Sequence, residues 1–171
     1  MNKKTRALTL SALFTALCVI SLYSASVSPT GQLGFAAFAS LFVAGAVIES
    51  GLSYGIYVYV AGSALSMLLF PGRTAPLLFI LFFGYYPVIK SLIERIKLIS
   101  VQWALKLLVF NVSLTVIYFI LKVLMFDITD STISVVVLYI GGSALFALFD
   151  YGYTKVIRFY SARIRGRGVR R

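Results

Sequence analysis

Residues 33–70 read LGFAAFASLFVAGAVIESGLSYGIYVYVAGSALSMLLF, a stretch whose only charge is Glu49. Two apolar runs, about Leu33–Ile48 and Leu52–Phe70, meet at Glu49-Ser50-Gly51. Each is close to the roughly 20 residues an α-helix needs to cross a ~30 Å hydrocarbon core. So short a reversal sets the two runs side by side and antiparallel. Composition gives the same reading: 60% of the 171 residues are apolar and 12% charged, against about 45–50% and about 25% in an ordinary soluble domain. A soluble fold of this size has too little interior for that much apolar surface.

The pattern continues in both directions. Before it, Lys3, Lys4 and Arg6 precede an uncharged run over about Ala7–Val27, closed by the turn residues Ser28-Pro29-Thr30-Gly31. The basic start and the small-residue Ser24-Ala25-Ser26 also resemble a signal peptide. The run is longer than the apolar region of most signal peptides and further spans follow, so it is read as a retained first span. After it, Pro71-Gly72-Arg73-Thr74 closes the third span, and a fourth covers about Ala75–Ile89, with Pro87 expected to kink its far end. Lys90–Ser100 spaces Leu92, Ile93, Ile96 and Ile99 helically among charges and reads as an amphipathic interfacial helix. A fifth span, about Trp103–Phe126, ends in Asp127-Ile-Thr-Asp130, and a sixth, about Ile133–Tyr153, runs into a basic tail over 154–171. The expected fold is all-α: a polytopic membrane protein forming one integral membrane domain, a bundle of six transmembrane helices.

Sixteen Lys and Arg give a net charge of +11. With the N-terminus in the cytoplasm, fourteen of them fall on the inner side and only Arg73 and Lys122 outside. That asymmetry favours both termini inside and an even number of spans. The tail is read as an anchor for anionic lipid headgroups, with no nucleic-acid partner expected.

What is missing narrows the chemistry. There is no His and only Cys18, which excludes an internal disulfide, a His-bearing metal site and the Ser-His-Asp and Cys-His arrangements. Of five acidic residues only Asp150 falls within a span, too few acid–base groups for an intramembrane enzyme. Neither GxxxxGK[ST] nor GxGxxG occurs, so no nucleotide chemistry, cofactor or metal is expected within this chain. Energy for any active transport would come from a partner.

Polar residues inside spans mark the candidate site. Asn111, Thr115, Tyr118 and Lys122 share one helical face, as do Tyr139, Ser143, Phe146 and Asp150. Polar faces avoid lipid, so the two are expected to meet across an antiparallel pair and line an outward-opening polar cavity. Two readings stand for several of these groups. Lys122 either reaches the outer interface toward Asp127 or touches a ligand, Asn111 bonds a neighbouring helix or a ligand, and Arg73 attracts an anionic solute or sits in water. Asp150 pairs with Lys155 or relays a proton. Small residues recur at Ala12 and Ala16 in the first span and at Ala36, Ser40 and Ala44 in the second. Such faces pack helices inside a monomer or against a partner.

The basic start, Ala7-Leu-Thr-Leu-Ser-Ala-Leu-Phe-Thr-Ala16, the short outer loop, the Gly-containing second and third spans and the six-span layout together resemble the substrate-binding S-components of energy-coupling-factor (ECF) transporters. The resemblance covers nearly the whole chain in layout, and its compact motif is the pair Ala12 and Ala16. It implies that these alanines face a transmembrane T-component, that two cytoplasmic ATPases supply energy, and that the chain lies in the cell membrane. The solute, in that family usually a vitamin or a metal ion, would be captured at the outer face. There the chain offers Ser28, Thr30, Gln32, Arg73, Asn111, Tyr118, Lys122 and Tyr139. The lack of His argues against nickel or cobalt. Arg73 and Lys122 favour a small organic anion. A second class is a non-transporting scaffold of the cell envelope, of the rod-shape-determining type, which would dock partners on Lys90–Ser100.

Overall fold

The computed structural model describes residues 2–28, 30–71, 74–124 and 132–168, with side chains described over 2–28, 30–71, 74–120 and 136–163. Its helices are α1 (Lys3–Val27), α2 (Gln32–Ser50), α3 (Leu52–Leu69), α4 (Thr74–Leu78), a π-helical turn at Phe79–Phe83, α5 (Tyr86–Ile93), α6 (Ile99–Leu124) and α7 (Thr132–Gly168). No strand occurs among the described residues. Six helical stretches there are long and apolar enough to cross a membrane: Lys3–Val27, Gln32–Ser50, Leu52–Leu69, Thr74–Ile93, Ile99–Ile120 and Val136–Arg163. The protein is an all-α, multi-pass membrane protein. Its chain forms two compact units, Met1–Gln102 and Trp103–Arg171, divided inside α6.

In the first unit, α1 buries Ser11, Thr15, Cys18, Leu22 and Ala25, a stripe stepping three or four residues at a time. Cys18, Leu22, Ala36, Ala39, Val43, Ala46, Val58 and Phe79 form the core. Hydroxyls on the buried stripe satisfy themselves within α1: Ser11 Oγ donates to the Ala7 carbonyl at 2.9 Å and Thr15 Oγ1 to Ser11 at 2.9 Å. Ser21 Oγ instead crosses to the Phe35 carbonyl at 2.9 Å and ties α1 to α2. The reversal between α2 and α3 turns on Gly51, at φ 101°, a backbone region that L side chains rarely adopt. Just beyond it, a Cβ on Gly55 would overlap the Val47 Cγ2 methyl, so this glycine lets the two helices approach closely.

The fourth span departs from its expected shape in two places. The sequence points to a kink at Pro87, and the irregularity lies one turn earlier. Pro87 occupies the first turn of α5, where its missing N–H and its ring disturb the turn before it. There the Gly84 N–H donates to Phe79 O at 2.7 Å, one residue further back than an α-helix would reach. The Ile80 carbonyl that Gly84 would have used accepts instead from the Tyr59 hydroxyl of α3 at 3.0 Å.

The second departure is Lys90–Ser100, which does not form a continuous amphipathic helix. Lys90 is buried and paired with Glu94 at 2.8 Å, which pins the last turn of α5. The chain then turns through Glu94–Leu98, and Gln102 Nε2 donates to the Ile96 carbonyl at 2.6 Å. Ile99–Gln102 belong to α6, four residues ahead of the expected start of the fifth span.

The second unit holds an antiparallel pair with one register. Lys106 meets Asp150, Phe110 stacks on Phe146 at 4.6 Å, and Gly142 lies against Phe110 and Leu114. Each step of four residues forward on α6 is answered by four backward on α7. The sixth helix also outruns its expected end: α7 has 37 residues, about 55 Å at 1.5 Å per residue. The basic segment from residue 154 to 168 therefore continues the helix.

Candidate functional site

The residues expected at the outer end fall into both units, and each is placed within its own. Gln32 is the first residue of α2 and is half-buried. The loop before it is tight: the Gly31 N–H donates to Ser28 Oγ at 3.1 Å. Arg73 lies outside the described residues, and Lys122 lies in α6 with its side chain outside them.

Within the second unit the two expected polar faces meet at Thr115 and Tyr139. Thr115 Oγ1 stands 2.6 Å from Tyr139 OH and also donates to the Asn111 carbonyl at 2.8 Å. A hydroxyl has one proton, so Tyr139 is the donor in the pair and its own lone pairs remain as acceptors. Asn111 donates from Nδ2 to the Leu107 carbonyl, one turn back on its own helix, at 2.8 Å. That bond replaces the neighbouring-helix contact as its structural role and leaves Oδ1 to accept. Tyr118 is half-buried one turn beyond Thr115. Tyr139, Thr115 and the backbone carbonyl of Asn111 thus form one hydrogen-bonded chain from helix to helix, with Tyr118 next along α6.

Asp150 does not pair with Lys155. Its carboxylate accepts from Lys106 Nζ at 2.9 Å, with Lys106 5% and Asp150 2% exposed. Lys106 also lies over the Trp103 ring at 5.6 Å, whereas Lys155 lies over Tyr151 at 5.4 Å. The i,i+5 spacing of Asp150 and Lys155 is poor for a pair on one helix, while the α6–α7 register brings Lys106 level with the carboxylate. In the sequence Lys106 counts only as a topology charge. The signal that could have found the pair is that Lys106 and Phe110, four apart, mirror Phe146 and Asp150, also four apart.

No protein-family model, curated protein or solved structure matches this chain.

The two small-residue faces separate. Ala36, Ser40 and Ala44 are buried in the first unit and pack it internally. Ala12 and Ala16 are exposed, on the side of α1 away from Ser11, Thr15 and Cys18. Leu8, Leu13, Leu17 and Ile20 around them are exposed as well. Two alanines between larger side chains leave a shallow groove along the helix, a surface that lets another helix backbone come close.

Proposed function

We propose that this protein is the solute-capture subunit of an ECF-type importer in the cell membrane, with both termini cytoplasmic. It binds a small organic solute, vitamin-like and anionic, at the outer face, and partner ATPases power its release inside. The observation that carries this reading is the exposure of Ala12 and Ala16 in the groove of α1. The same period of small residues in α2 is consumed by internal packing, so the groove of α1 is the one left for a T-component helix. Capture needs no reaction, only a partly dry place with a few fixed polar groups. Tyr139 and Thr115 are held by their mutual bond, the second Nδ2 hydrogen of Asn111 offers a donor, Tyr118 adds a phenol, and Lys122 supplies the positive charge an anion requires. The scaffold alternative would dock partners on Lys90–Ser100, and with the turn at Glu94–Leu98 that segment offers no continuous amphipathic helix.

The test is a mild-detergent pull-down of the tagged chain from its native membrane, with mass spectrometry of co-purified proteins and extracted metabolites. A T-component and two ATPases are expected with the wild type and lost when Ala12 and Ala16 are both replaced by tryptophan. Any retained solute is expected to bind at least about tenfold more weakly to Lys122→Ala, the loss of one charge-assisted contact, while the protein remains folded. Recovery of cell-wall proteins with no metabolite would overturn the transporter reading.

A further inference from the structure

A cavity of about 470 Å³ opens at the end of the first unit opposite Gln32, where α1 begins, α2 ends and α3 begins. Lys3, Lys4 and Arg6 of α1, Glu49 and Ser50 of α2 and Tyr54 of α3 stand around it. Unlike two of the lysines elsewhere in the protein, the cations here have no carboxylate partner among the described residues. Lys90 and Lys106 each hold a carboxylate, whereas among the described residues Lys3, Lys4 and Arg6 make no ion pair. Three cations therefore face a concave space whose lining holds one carboxylate. Their repulsion is relieved by an anion presenting several oxygens at once, which is the geometry of phosphate: two compact ammonium donors and one guanidinium fork suit it well. Tyr54 and Ser50 add hydroxyls. The volume falls in the usual range for small-ligand sites, roughly 300–1,000 Å³.

The apolar surroundings favour one source of that phosphate. Leu10 lines the cavity, and on the same helical face Leu13 and Leu17, three and seven residues further on, are 55% and 36% exposed. A strip of apolar surface beginning beside a cationic cavity, at the end of a membrane span, accommodates an acyl chain below its headgroup. We propose that this cavity binds a phosphate-bearing anion through Lys3, Lys4 and Arg6, and that the anion is the headgroup of an anionic phospholipid. Neither the basic segment of α7 nor the transported solute takes part in this binding.

The full-length chain is purified in detergent, so that membrane orientation plays no part, and lipid retention is read by native mass spectrometry with added phosphatidylglycerol or phosphatidylcholine. Wild type is expected to retain phosphatidylglycerol at least about tenfold better than phosphatidylcholine, and Lys3→Gln/Lys4→Gln/Arg6→Gln to abolish the difference. Arg6→Gln alone is expected to reduce it, and the control Arg158→Gln/Arg163→Gln on α7 to leave it intact. Competition with inorganic phosphate separates the sources. Phosphatidylglycerol that stays bound supports the headgroup, and full displacement at matched concentration overturns the lipid assignment in favour of the free anion. Equal retention by wild type and triple variant, or equal loss in the α7 control, would overturn the site.

Discussion

Replacing Lys106 with methionine is expected to remove most of the folded protein, and adding Asp150→Leu to the same chain is expected to restore it. The two side chains form an ion pair at 2.9 Å and are almost wholly buried, within stretches of α6 and α7 that are long and apolar enough to span a membrane. Removing one member leaves an uncompensated charge in a low-dielectric interior, which costs about 3–5 kcal/mol, whereas exchanging both for apolar groups of similar size is often neutral or better. Phe110 on Phe146, one turn away, holds the register meanwhile. The measurement is the fraction of monodisperse protein surviving a temperature series in detergent for wild type, both single variants and the double variant. A double variant as unstable as the sum of the singles would show that the pair does not act as a unit.

The second large effect is expected from Gly84→Val. A Cβ at this position would stand 2.5 Å from Tyr59 Cδ2 and 2.8 Å from Phe79 Cε1. Phe79 is fully buried and has no room to yield, and Tyr59, half-buried, is tethered by its hydroxyl to the Ile80 carbonyl. Forcing the side chain in means moving Tyr59 and orphaning that carbonyl. Overpacking costs about 1–3 kcal/mol and the lost hydrogen bond to the half-buried Ile80 carbonyl about 1 more, so a loss of about 3 kcal/mol is expected in the same thermal series. Tyr59→Phe removes only the hydrogen bond and is expected to cost about 1–2 kcal/mol. A Gly84→Val protein as stable as wild type would contradict the close packing of α3 on the π-turn.

Part of the candidate site is legible in residue spacing. Helical periodicity places Thr115 and Tyr139 each on a polar face, and the faces do meet there, because polar side chains in a lipid environment have few places to go. Asn111 reads as a site residue, yet one of its donors is committed to its own helix, a bond that leaves no trace in spacing. The Lys106–Asp150 pair escapes a reading of the sequence because charges near a span end count first as topology signals.

The sequence alone determined the fold class and the number and approximate limits of the spans, because run length and hydropathy are properties of contiguous residues, measured against a bilayer of fixed thickness. The tertiary structure decided which of two equally periodic small-residue faces is buried, since periodicity sets a side of a helix and not what covers it. It also decided the partner of Asp150, which depends on the register of one helix against another, and the position of the π-turn, where Pro87 supplies the disturbance and Tyr59, on a different helix, receives the freed carbonyl.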